Sequence, residues 1–485
     1  MHVSELPNGV PTQLYIGGEW RDSSDGSTIS VLDPATGEEL AGVANGTLED
    51  ALEAVTAAYN TQPAWEATAP RQRAEILRKA FDLMTERSEE IARLMVLENG
   101  KALPDARGEA AYAAEFLRWY SEEAVRLAGS IQQAPSGANH ILVLRQAIGV
   151  AVLVTPWNFP AAMATRKIAP ALAAGCSVIL KPASDTPLTA LYMAKLFEEA
   201  GVPKGLINVI PSNRSGRVVS AMIHDPRVRK LSFTGSTEVG RMLLREASDT
   251  IINSSMELGG NAPFLVFGDA DLDAAVEGAM IAKMRNGGEA CTAANRFYVH
   301  ASVASEFSKR LSAAMGALRI GPGLEDGVQL GPLVNQAAVD KVSELVQSAV
   351  DKGASVDLGG KTFGNRGFFY EATVLHGVPS DAPILQEEIF GPVAPVVSFE
   401  SEDEVIKMAN DTEFGLVSYL YTGDLKRGLR VAEALESGMV GLNRGIVSDP
   451  AAPFGGVKQS GLGREGGHEG ILEYTESKYI ATSWR

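Results

Sequence analysis

The side chains of this chain that could carry out covalent chemistry stand in short motifs rich in glycine or proline. Cys291 lies in NGGEACTAANR, where glycines permit close approach of a substrate and a thiolate would be a nucleophile. Glu257 lies in MELGGN, and Asn158 in TPWNFP offers a neutral amide that could stabilise an oxyanion. Each residue also has an ordinary structural interpretation: a small buried thiol, a surface charge and a turn residue. No single motif decides between these alternatives.

Two further motifs favour a phosphate-bearing ligand. Gly235 and Ser236 in FTGSTEVG follow an apolar run and open a helix whose N-terminal N–H groups would suit a phosphate, although an ordinary strand–helix turn has the same pattern. Lys181 and Ser184 in LKPASDTP follow another strand, where a lysine is either a ligand contact or a solvated surface residue. GLGREG at 461–466 matches a dinucleotide fingerprint, but no strand precedes it, which indicates a flexible loop.

The composition excludes several classes of protein. The 485 residues include 43 basic and 60 acidic side chains, and the formal charge of −17 argues against a nucleic-acid binder. Two cysteines, Cys176 and Cys291, are too few for a disulfide scaffold, and six scattered histidines predict no metal site. The N-terminus lacks the pattern of a signal peptide, and the longest apolar run (148–154) is too short for a membrane span. We expect a cytoplasmic protein without a membrane partner.

Alternating apolar runs and stretches of helical length indicate an α/β fold. The first third of the chain reads mainly as helix. From residue 148 onward, the runs IGVAVLV, CSVIL, LINVI and KLSF are typical of strands buried on both faces, and predicted helices separate them. A second alternation begins at FLVF (264–267) and includes PVAPVVSF (392–399). HILVLRQ (140–146) and LEYTESKYIATSW (472–484) fit neither unit and read as extended segments that need a pairing partner.

Taken together and in this order, seven motifs resemble the aldehyde dehydrogenase superfamily over nearly the whole chain. They are TPWNFP, KPAS, FTGS, ELGG, the GEAC block, EEIFGP (387–392) and PFGGVKQSGLGREGG (453–467). The resemblance implies that the Cys291 thiolate attacks an aldehyde carbonyl and that the Asn158 amide and the Cys291 N–H hold the oxyanion. It further implies that hydride passes to a nicotinamide and that Glu257 activates water to release a carboxylic acid.

With this resemblance, the alternating pattern predicts an α/β fold with three parts. A doubly wound parallel-sheet cofactor domain would take residues 1–125 and 148–257, and a second α/β catalytic domain would take residues 258–468. A small β oligomerisation arm would take residues 126–147 and 469–485, and we expect it to form a homodimer or homotetramer.

The resemblance also implies a site for a nicotinamide dinucleotide. The positions that match cofactor contacts of the family are Trp157, Asn158, Lys181, Pro182, Ala183, Ser184, Gly235, Ser236, Leu258, Glu388 and Phe390. Relatives that prefer NAD often carry a glutamate where this chain has Ser184. A carboxylate there would repel a 2′-phosphate, whereas Lys181 with Ser184 would accept one. We therefore predict NADP as the preferred cofactor, with NAD as the alternative.

The substrate prediction depends on two arginines. MATRKIAPALAAGC and MRNGGEAC resemble the succinate-semialdehyde dehydrogenase branch, in which residues matching Arg166, Arg285 and Ser448 hold the distal carboxylate of the substrate. Arginine suits a carboxylate because its planar fork binds both oxygens. One of the two arginines could instead form a structural ion pair, and another carboxylated aldehyde such as glutarate semialdehyde stays open as the substrate.

Two positions depart from the usual pattern of the family. Glu289 replaces a glutamine two residues before Cys291, and its charge would raise the pKa of the thiol unless the side chain points away or is paired. Ala293 replaces the second cysteine that forms a redox-switch disulfide in some relatives. The rival functions are a CoA-acylating semialdehyde dehydrogenase, against which Glu257 argues, and a catalytically silent relative, against which the set Asn158, Glu257 and Cys291 argues.

Overall fold

The computed structural model describes residues 6–483. Residues 1–5 and 484–485, which are the outer ends of the predicted cofactor domain and the predicted arm, lie outside the described residues. Twenty strands are present in the described chain: β1 (Leu14–Ile16), β2 (Glu19–Arg21), β3 (Thr28–Asp33), β4 (Glu38–Ala44), β5 (Ser130–Gln133), β6 (His140–Ala147), β7 (Val150–Val154), β8 (Ser177–Lys181), β9 (Ile207–Val209), β10 (Val228–Thr234), β11 (Asn253–Glu257), β12 (Ala262–Val266), β13 (Ala294–His300), β14 (Ser355–Leu358), β15 (Thr373–His376), β16 (Val393–Phe399), β17 (Val417–Tyr421), β18 (Met439–Leu442), β19 (Gly461–Leu462) and β20 (Thr475–Thr482).

Fourteen α-helices accompany these strands between residues 6 and 483. They are α1 (Leu48–Glu66), α2 (Pro70–Glu86), α3 (Ser88–Asn99), α4 (Leu103–Glu123), α5 (Pro160–Ala174), α6 (Pro187–Ala200), α7 (Ser215–Ile223), α8 (Thr237–Ala247), α9 (Leu272–Met284), α10 (Ala304–Gly316), α11 (Gln336–Asp351), α12 (Glu402–Asn410), α13 (Leu425–Ala434) and α14 (Glu469–Leu472).

The first large sheet has eight strands in the order β19-β11-β10-β7-β8-β9-β1-β2. Its five central strands are parallel, and the short strands β1, β2 and β19 pair antiparallel at its two ends. Strand β7 is buried along its whole length. Ala151 and Leu153 pack on the side of α2–α6, whereas Val150, Val152 and Val154 pack on the side of α1, α7 and α8. Helices therefore cover both faces, which is why these strands read as continuous apolar runs.

The second large sheet has seven strands in the order β14-β15-β16-β13-β12-β17-β18. All neighbouring pairs are parallel except the edge pair of β14 and β15. An aromatic cluster centred on Phe264 fills one face, where Phe297, Phe307 and Tyr419 surround its ring at centroid distances of 5.2–6.5 Å. This second α/β unit lies where the sequence alternation resumes after residue 262.

The extended segments that fit neither unit pair with each other. Strands β6 and β20 are antiparallel over eight residue pairs, from Thr475↔Ala147 to Thr482↔His140, and β5 completes a three-stranded sheet in the order β20-β6-β5. Large apolar side chains remain exposed on it, among them Ile131 (70% exposed) and Tyr479 (58% exposed).

The predicted α/β fold class is confirmed, and helices separate the strands from residue 148 onward, as the alternation predicts. The structure differs in the first third, which also contains β1–β4 in residues 14–44 rather than helix alone. It differs again at β19, which joins the first sheet although residues 461–462 fall within the range predicted for the second domain. Both departures come from short strands whose pairing partners lie far away in the sequence.

Candidate active site

A cavity of about 350 Å³ lies between the two large sheets. One wall consists of residues that follow β7, β10 and β11, at the carboxyl ends of parallel strands, and the other of the loop before β13, the loop before β16 and the start of α11. Eight residues predicted from the sequence line it: Trp157, Asn158, Gly235, Ser236, Leu258, Cys291, Glu388 and Phe390. The remaining predicted residues lie outside its lining: Arg166, Lys181, Pro182, Ala183, Ser184, Glu257, Arg285 and Ser448.

Three of the motifs pack directly against one another at this cavity. A side chain on Gly260 of the ELGG motif would approach the Cys291 backbone oxygen to 2.5 Å. A side chain on Gly288 would collide with the backbone oxygen of Gly391, and Gly288 has a φ of +80°, which favours glycine. Glycine at these two positions therefore lets the ELGG, GEAC and EEIFGP segments meet around Cys291.

The helix N-termini at this edge of the first sheet indicate where a phosphate fits. Glu109 accepts hydrogen bonds from two N–H groups in the first turn of α5, at 2.9 and 3.2 Å, and Glu98 does the same for α6, at 2.7 and 2.9 Å. The first turn of α8 is capped only by its own Ser236, whose Oγ accepts from Val239 N at 3.3 Å. Because anionic side chains already occupy α5 and α6, α8 is the N-terminus that suits a phosphate.

Lys181 ends β8 beside the TPWNFP segment, and its backbone oxygen accepts a hydrogen bond from Thr155 N at 3.2 Å. Its side chain is buried, and its ammonium has no hydrogen-bond or ion-pair partner within residues 6–483. Burial lowers the pKa of Lys181 to about 8, and the charge of Asp185 opposes that effect. Asp185 itself accepts a hydrogen bond from Asn335 Nδ2 at 3.2 Å, so this carboxylate is already engaged. An unpartnered buried cation is what an anionic ligand group needs.

Cys291 and Asn158 share the cavity. The Asn158 Nδ2 donates one hydrogen bond to the Glu289 backbone oxygen at 3.0 Å, which leaves its second N–H free. Burial raises the pKa of the Cys291 thiol to about 12, whereas the positive charges of Arg166 and Arg285 lower it in part. The cysteine is therefore a thiol at neutral pH in this state, and a base must remove its proton before it can attack a carbonyl.

Glu257 is buried at the end of β11, and neither of its carboxylate oxygens has a partner in the described structure. Burial raises its pKa well above the ordinary value, and the nearby charge of Glu465 raises it further. Glu465 is held by two cations, since it forms ion pairs with Arg166 and with Lys167, the latter at 2.5 Å. Burial alone would raise the pKa of Glu465, but Arg166 and Lys167 lower it.

The two predicted substrate arginines differ in their surroundings. Arg166 is 1% exposed, forms the ion pair with Glu465 and stacks on Phe454 with its guanidinium carbon 4.2 Å from the ring centroid. Arg285 forms no ion pair or side-chain hydrogen bond within residues 6–483 and stacks on Phe159 at 5.1 Å. Both charges lower the pKa of Tyr112, although burial dominates and raises it.

The third predicted substrate residue, Ser448, lies in the loop after β18. This loop approaches Arg285 at Ile446, which lines a small cleft together with it. The structure shows no direct contact of Ser448 with either arginine.

The side chain of Glu289 is paired with a backbone donor. Its side chain is 2% exposed, and its Oε1 accepts a hydrogen bond from Val334 N at 3.1 Å. Burial raises the pKa of Glu289 well above its ordinary value, which favours the neutral form of the group. This shift reduces the expected penalty on the Cys291 thiolate. Cys176, the other cysteine, is fully buried with a pKa raised to about 11 by burial, and its Sγ donates to the Tyr474 oxygen at 3.3 Å.

The far end of the cavity contains residues that favour a ribose and a planar ring. Burial raises the pKa of Glu388 to about 7, and its Oε1 accepts from Gly260 N at 3.2 Å. Phe390 has a φ of +56° and packs edge-on against Trp157 with ring centroids 5.3 Å apart. A bulky residue in the left-handed region is rare and concentrates at functional sites. Lys341 also lines the cavity and donates to the Glu388 backbone oxygen at 2.6 Å, and the sequence analysis missed it.

This site, with a cysteine and an amide donor facing a nucleotide-sized cavity between two α/β units, is that of an enzyme acting on a carbonyl carbon. A family model described as "Aldehyde dehydrogenase family" matches residues 20–480. The chain belongs to the aldehyde dehydrogenase family, which confirms the resemblance of its motifs.

Individual relatives match along almost their whole length. The chain is 58% identical to a succinate-semialdehyde dehydrogenase of Paenarthrobacter nicotinovorans, over 91% of this chain and 98% of that protein. It is 52% identical to a glutarate-semialdehyde dehydrogenase of Pseudomonas aeruginosa, over 96% of this chain and 97% of that protein. The crystal structure of an NADP-dependent enzyme of Escherichia coli, 49% identical, superposes with a TM-score of 0.97 over 98% of both chains.

Among residues 6–483 there is no helix with the length and apolar character of a membrane span. The same residues contain no group of three or more histidine, cysteine, aspartate or glutamate side chains placed to hold a metal ion.

Proposed function

We propose that this chain oxidises succinate semialdehyde to succinate with NADP⁺, through a thioester on Cys291. The observation that carries the proposal is that Cys291, Asn158 and the residues at the N-terminus of α8, Gly235 and Ser236, line one and the same cavity. The succinate-semialdehyde dehydrogenase among the relatives, at 58% identity, supports the substrate.

In the proposed reaction, the Cys291 thiol first gives up its proton to solvent water. The thiolate sulfur then forms a bond to the aldehyde carbon, and the carbonyl oxygen becomes an oxyanion. The free Asn158 N–H and the Cys291 backbone N–H stabilise that oxyanion. A nicotinamide held near Glu388 and Phe390 would supply the acceptor for the hydride that leaves the same carbon, and loss of that hydride lets the carbonyl re-form as a thioester.

Glu257 then serves as the general base for hydrolysis. Its unpartnered carboxylate takes a proton from water, the hydroxide oxygen bonds to the thioester carbon, and the carbon–sulfur bond breaks to return the thiolate. Its raised pKa, caused by burial and by Glu465, makes it a stronger base than an exposed glutamate. This role also distinguishes the reaction from transfer of the acyl group to coenzyme A.

The cofactor preference is proposed from charge. The first turn of α8 would bind the pyrophosphate, Glu388 a ribose, and Lys181 with Ser184 the 2′-phosphate. The crystal structure of the 49% identical Escherichia coli enzyme, described as NADP-dependent, supports this assignment. We expect the ratio of kcat/KM for NADP⁺ to that for NAD⁺ to exceed one. A preference for NAD⁺ of more than about tenfold, or about 1.4 kcal/mol, contradicts the role of Lys181.

The substrate carboxylate is proposed to bind Arg285, whose guanidinium forms no ion pair or hydrogen bond within residues 6–483. Arg166, one side of which is paired with Glu465, and Ser448 complete the proposed site. The relative that is a glutarate-semialdehyde dehydrogenase makes the five-carbon semialdehyde a second candidate substrate.

The direct test is spectrophotometric measurement of NADPH formation with succinate and glutarate semialdehydes, with and without coenzyme A. We expect the highest kcat/KM with succinate semialdehyde, no acceleration by coenzyme A, and no activity in Cys291→Ala. Cys176→Ala is the matched control, since that thiol is buried away from the cavity, and it should turn over like the parent. Absence of NADPH formation in the parent would favour a catalytically silent relative.

We further propose that the three-stranded sheet of β5, β6 and β20 is the oligomerisation arm, formed from residues 126–147 and 469–485, and that it joins copies of this chain. Its exposed Ile131 and Tyr479 favour burial against a second copy. Light scattering of Ile131→Asp should give a smaller mass than that of the parent.

The cofactor and catalytic domains are proposed to divide near residue 258. The protein is proposed to work in the reducing cytoplasm, because its two cysteines are free and one of them is the proposed nucleophile.

A further inference from the structure

A fully enclosed ion pair lies directly beneath the loop that carries Asn158. The side chains of Lys101, which follows α3, and Glu109, in α4, are each 0% exposed, and their charged atoms are 2.5 Å apart. A buried ion pair pays a desolvation penalty that often equals its Coulombic gain, so stability alone does not account for it. The contacts of its two members indicate what it does.

The pair holds both ends of the segment that leads from Asn158 into α5. Lys101 Nζ donates to the Asn158 backbone oxygen at 2.7 Å. Glu109 Oε1 accepts from Ala161 N at 2.9 Å and from Ala162 N at 3.2 Å. The ammonium also lies 4.4 Å from the centroid of the Phe159 ring. The Lys101–Glu109 ion pair thus fixes both the backbone of Asn158 and the side chain of its neighbour Phe159.

A second donor completes the cradle of Asn158. Asn286 Nδ2 donates to the same Asn158 oxygen at 2.9 Å and to the Glu289 oxygen at 3.0 Å. Asn286 has a φ of +53° and is held there by a hydrogen bond from its own N–H to Asp105 Oδ2 at 3.0 Å. The Asn158 side-chain amide also donates to the Glu289 backbone oxygen. The hydrogen bonds to the Asn158 backbone oxygen and this side-chain hydrogen bond together hold the Asn158 amide in one orientation.

We propose that Lys101 is a positioning residue, which acts through the Asn158 backbone to aim the side-chain N–H of Asn158 at the oxyanion. Glu109 has the companion role of holding Lys101 and the start of α5. The inference deepens the proposed function and rests on it for the identity of the reaction. Effective oxyanion stabilisation requires donors that are fixed before charge develops, because reorganisation during the reaction costs energy.

The test compares three variants with the parent. Lys101→Met removes the ammonium but leaves the Glu109 carboxylate unpaired, so it is expected to lose stability as well as rate. The double variant Lys101→Met/Glu109→Gln removes that stranded charge and should recover most of the thermal midpoint. Lys230→Met is the control for burial: Lys230 is also fully enclosed, but it bonds Asn253 and Ser255 away from the cavity.

We expect kcat of both Lys101 variants to fall by about 10- to 100-fold, a part of the 10²–10³ that loss of a whole oxyanion donor costs. KM for the aldehyde and for the cofactor should change by less than about threefold, because Lys101 touches neither ligand. Lys230→Met should lower the thermal midpoint but keep the parent kcat.

Two readouts do not depend on the aldehyde reaction. Hydrolysis of p-nitrophenyl acetate uses Cys291, the oxyanion donor and Glu257 but needs neither hydride transfer nor a substrate carboxylate, so it should fall in parallel even if succinate semialdehyde proves to be the wrong substrate. A crystal structure of the double variant should show the Asn158 amide displaced or in two orientations. Parent-like kcat and ester hydrolysis in the double variant, or slow turnover with Asn158 unmoved, would overturn the inference.

Discussion

Replacing Arg285 with methionine should separate carboxylated from uncharged aldehydes. Arg285 forms no ion pair within residues 6–483. Its charge lowers the pKa of the buried Asp105, but Asp105 keeps the larger effect of Lys101 and the hydrogen bond from Asn286 N when Arg285 is removed. The loss that is specific to the carboxylated aldehyde can therefore be attributed to the ligand. A charge-assisted hydrogen-bonded pair contributes about 1.5–3 kcal/mol, and each 1.4 kcal/mol is about a factor of ten. The variant should therefore lose about 10- to 150-fold in kcat/KM for succinate semialdehyde. Its stacking on Phe159, about 0.5–1 kcal/mol, is lost for every substrate.

The assay is NADPH formation with succinate semialdehyde and with butanal, which has the same number of carbons and no carboxylate. For butanal we expect a loss of less than about fivefold, since only the stacking contribution of roughly 1 kcal/mol disappears. Arg166→Met serves as a contrast: it leaves Glu465 with Lys167 alone, so butanal should also lose activity, and succinate semialdehyde should lose more because Arg166 is part of the proposed carboxylate site. Equal losses for the two aldehydes in Arg285→Met would refute the assignment of the substrate carboxylate to Arg285.

Three further predictions concern groups whose pKa is displaced by burial. Glu257→Gln should still give a burst of one NADPH per site in rapid mixing, with steady-state turnover reduced by about 10²–10⁴-fold, and a normal steady state would exclude Glu257 as the base. Glu289→Gln should keep kcat within about twofold, because the amide oxygen can accept the hydrogen bond from Val334 N in place of the carboxyl oxygen. Glu289→Ala leaves that buried N–H unpaired, which should lower the free energy of unfolding by about 1–3 kcal/mol and with it the thermal midpoint. For Lys181, a pKa lowered to about 8 means that the positive charge is lost as pH rises, so the preference for NADP⁺ over NAD⁺ should decline between pH 7 and 9, and a flat ratio would count against a Lys181–phosphate contact.

Much of the fold could be predicted because the central strands are buried on both faces. VAVLV at 150–154 contacts helices on both sides, and this alone produces the apolar run that the sequence displays. Strand β3 could not be found in this way, since its residues alternate between exposed and buried and half of them are polar. Strand β1 has three residues and joins the first sheet through a single pair, Tyr15↔Val209, which no local pattern reveals.

The motifs located the reacting groups, but the residues that hold those groups were missed. Glu98 occupies the core position in the helical stripe of Ile91, Leu94 and Met95, and Glu109 lies likewise among buried alanines of α4. A carboxylate on the apolar side of a helix is costly unless something binds it. That contradiction in the pattern was visible, and it could have marked both residues as partners of buried donors. Which donors they bind depends on contacts 52 to 91 residues away in the chain.

Glu257 and Glu465 are both buried carboxylates near Cys291, but their surroundings suit them to different roles. Glu465 lies between Arg166 and Lys167, and these cations keep it ionised despite burial. The Glu257 carboxylate has no hydrogen-bond partner between residues 6 and 483, and the negative charge of Glu465 adds to the effect of burial in raising its pKa. A group kept ionised by partners is a poor base, whereas one whose proton affinity is raised is suited to take a proton. Removing the charge of Glu465 in Glu465→Gln should therefore lower the pKa of Glu257 and move the acidic limb of the kcat–pH profile to lower pH. An unchanged acidic limb would show that burial alone, without the charge of Glu465, raises the pKa of Glu257.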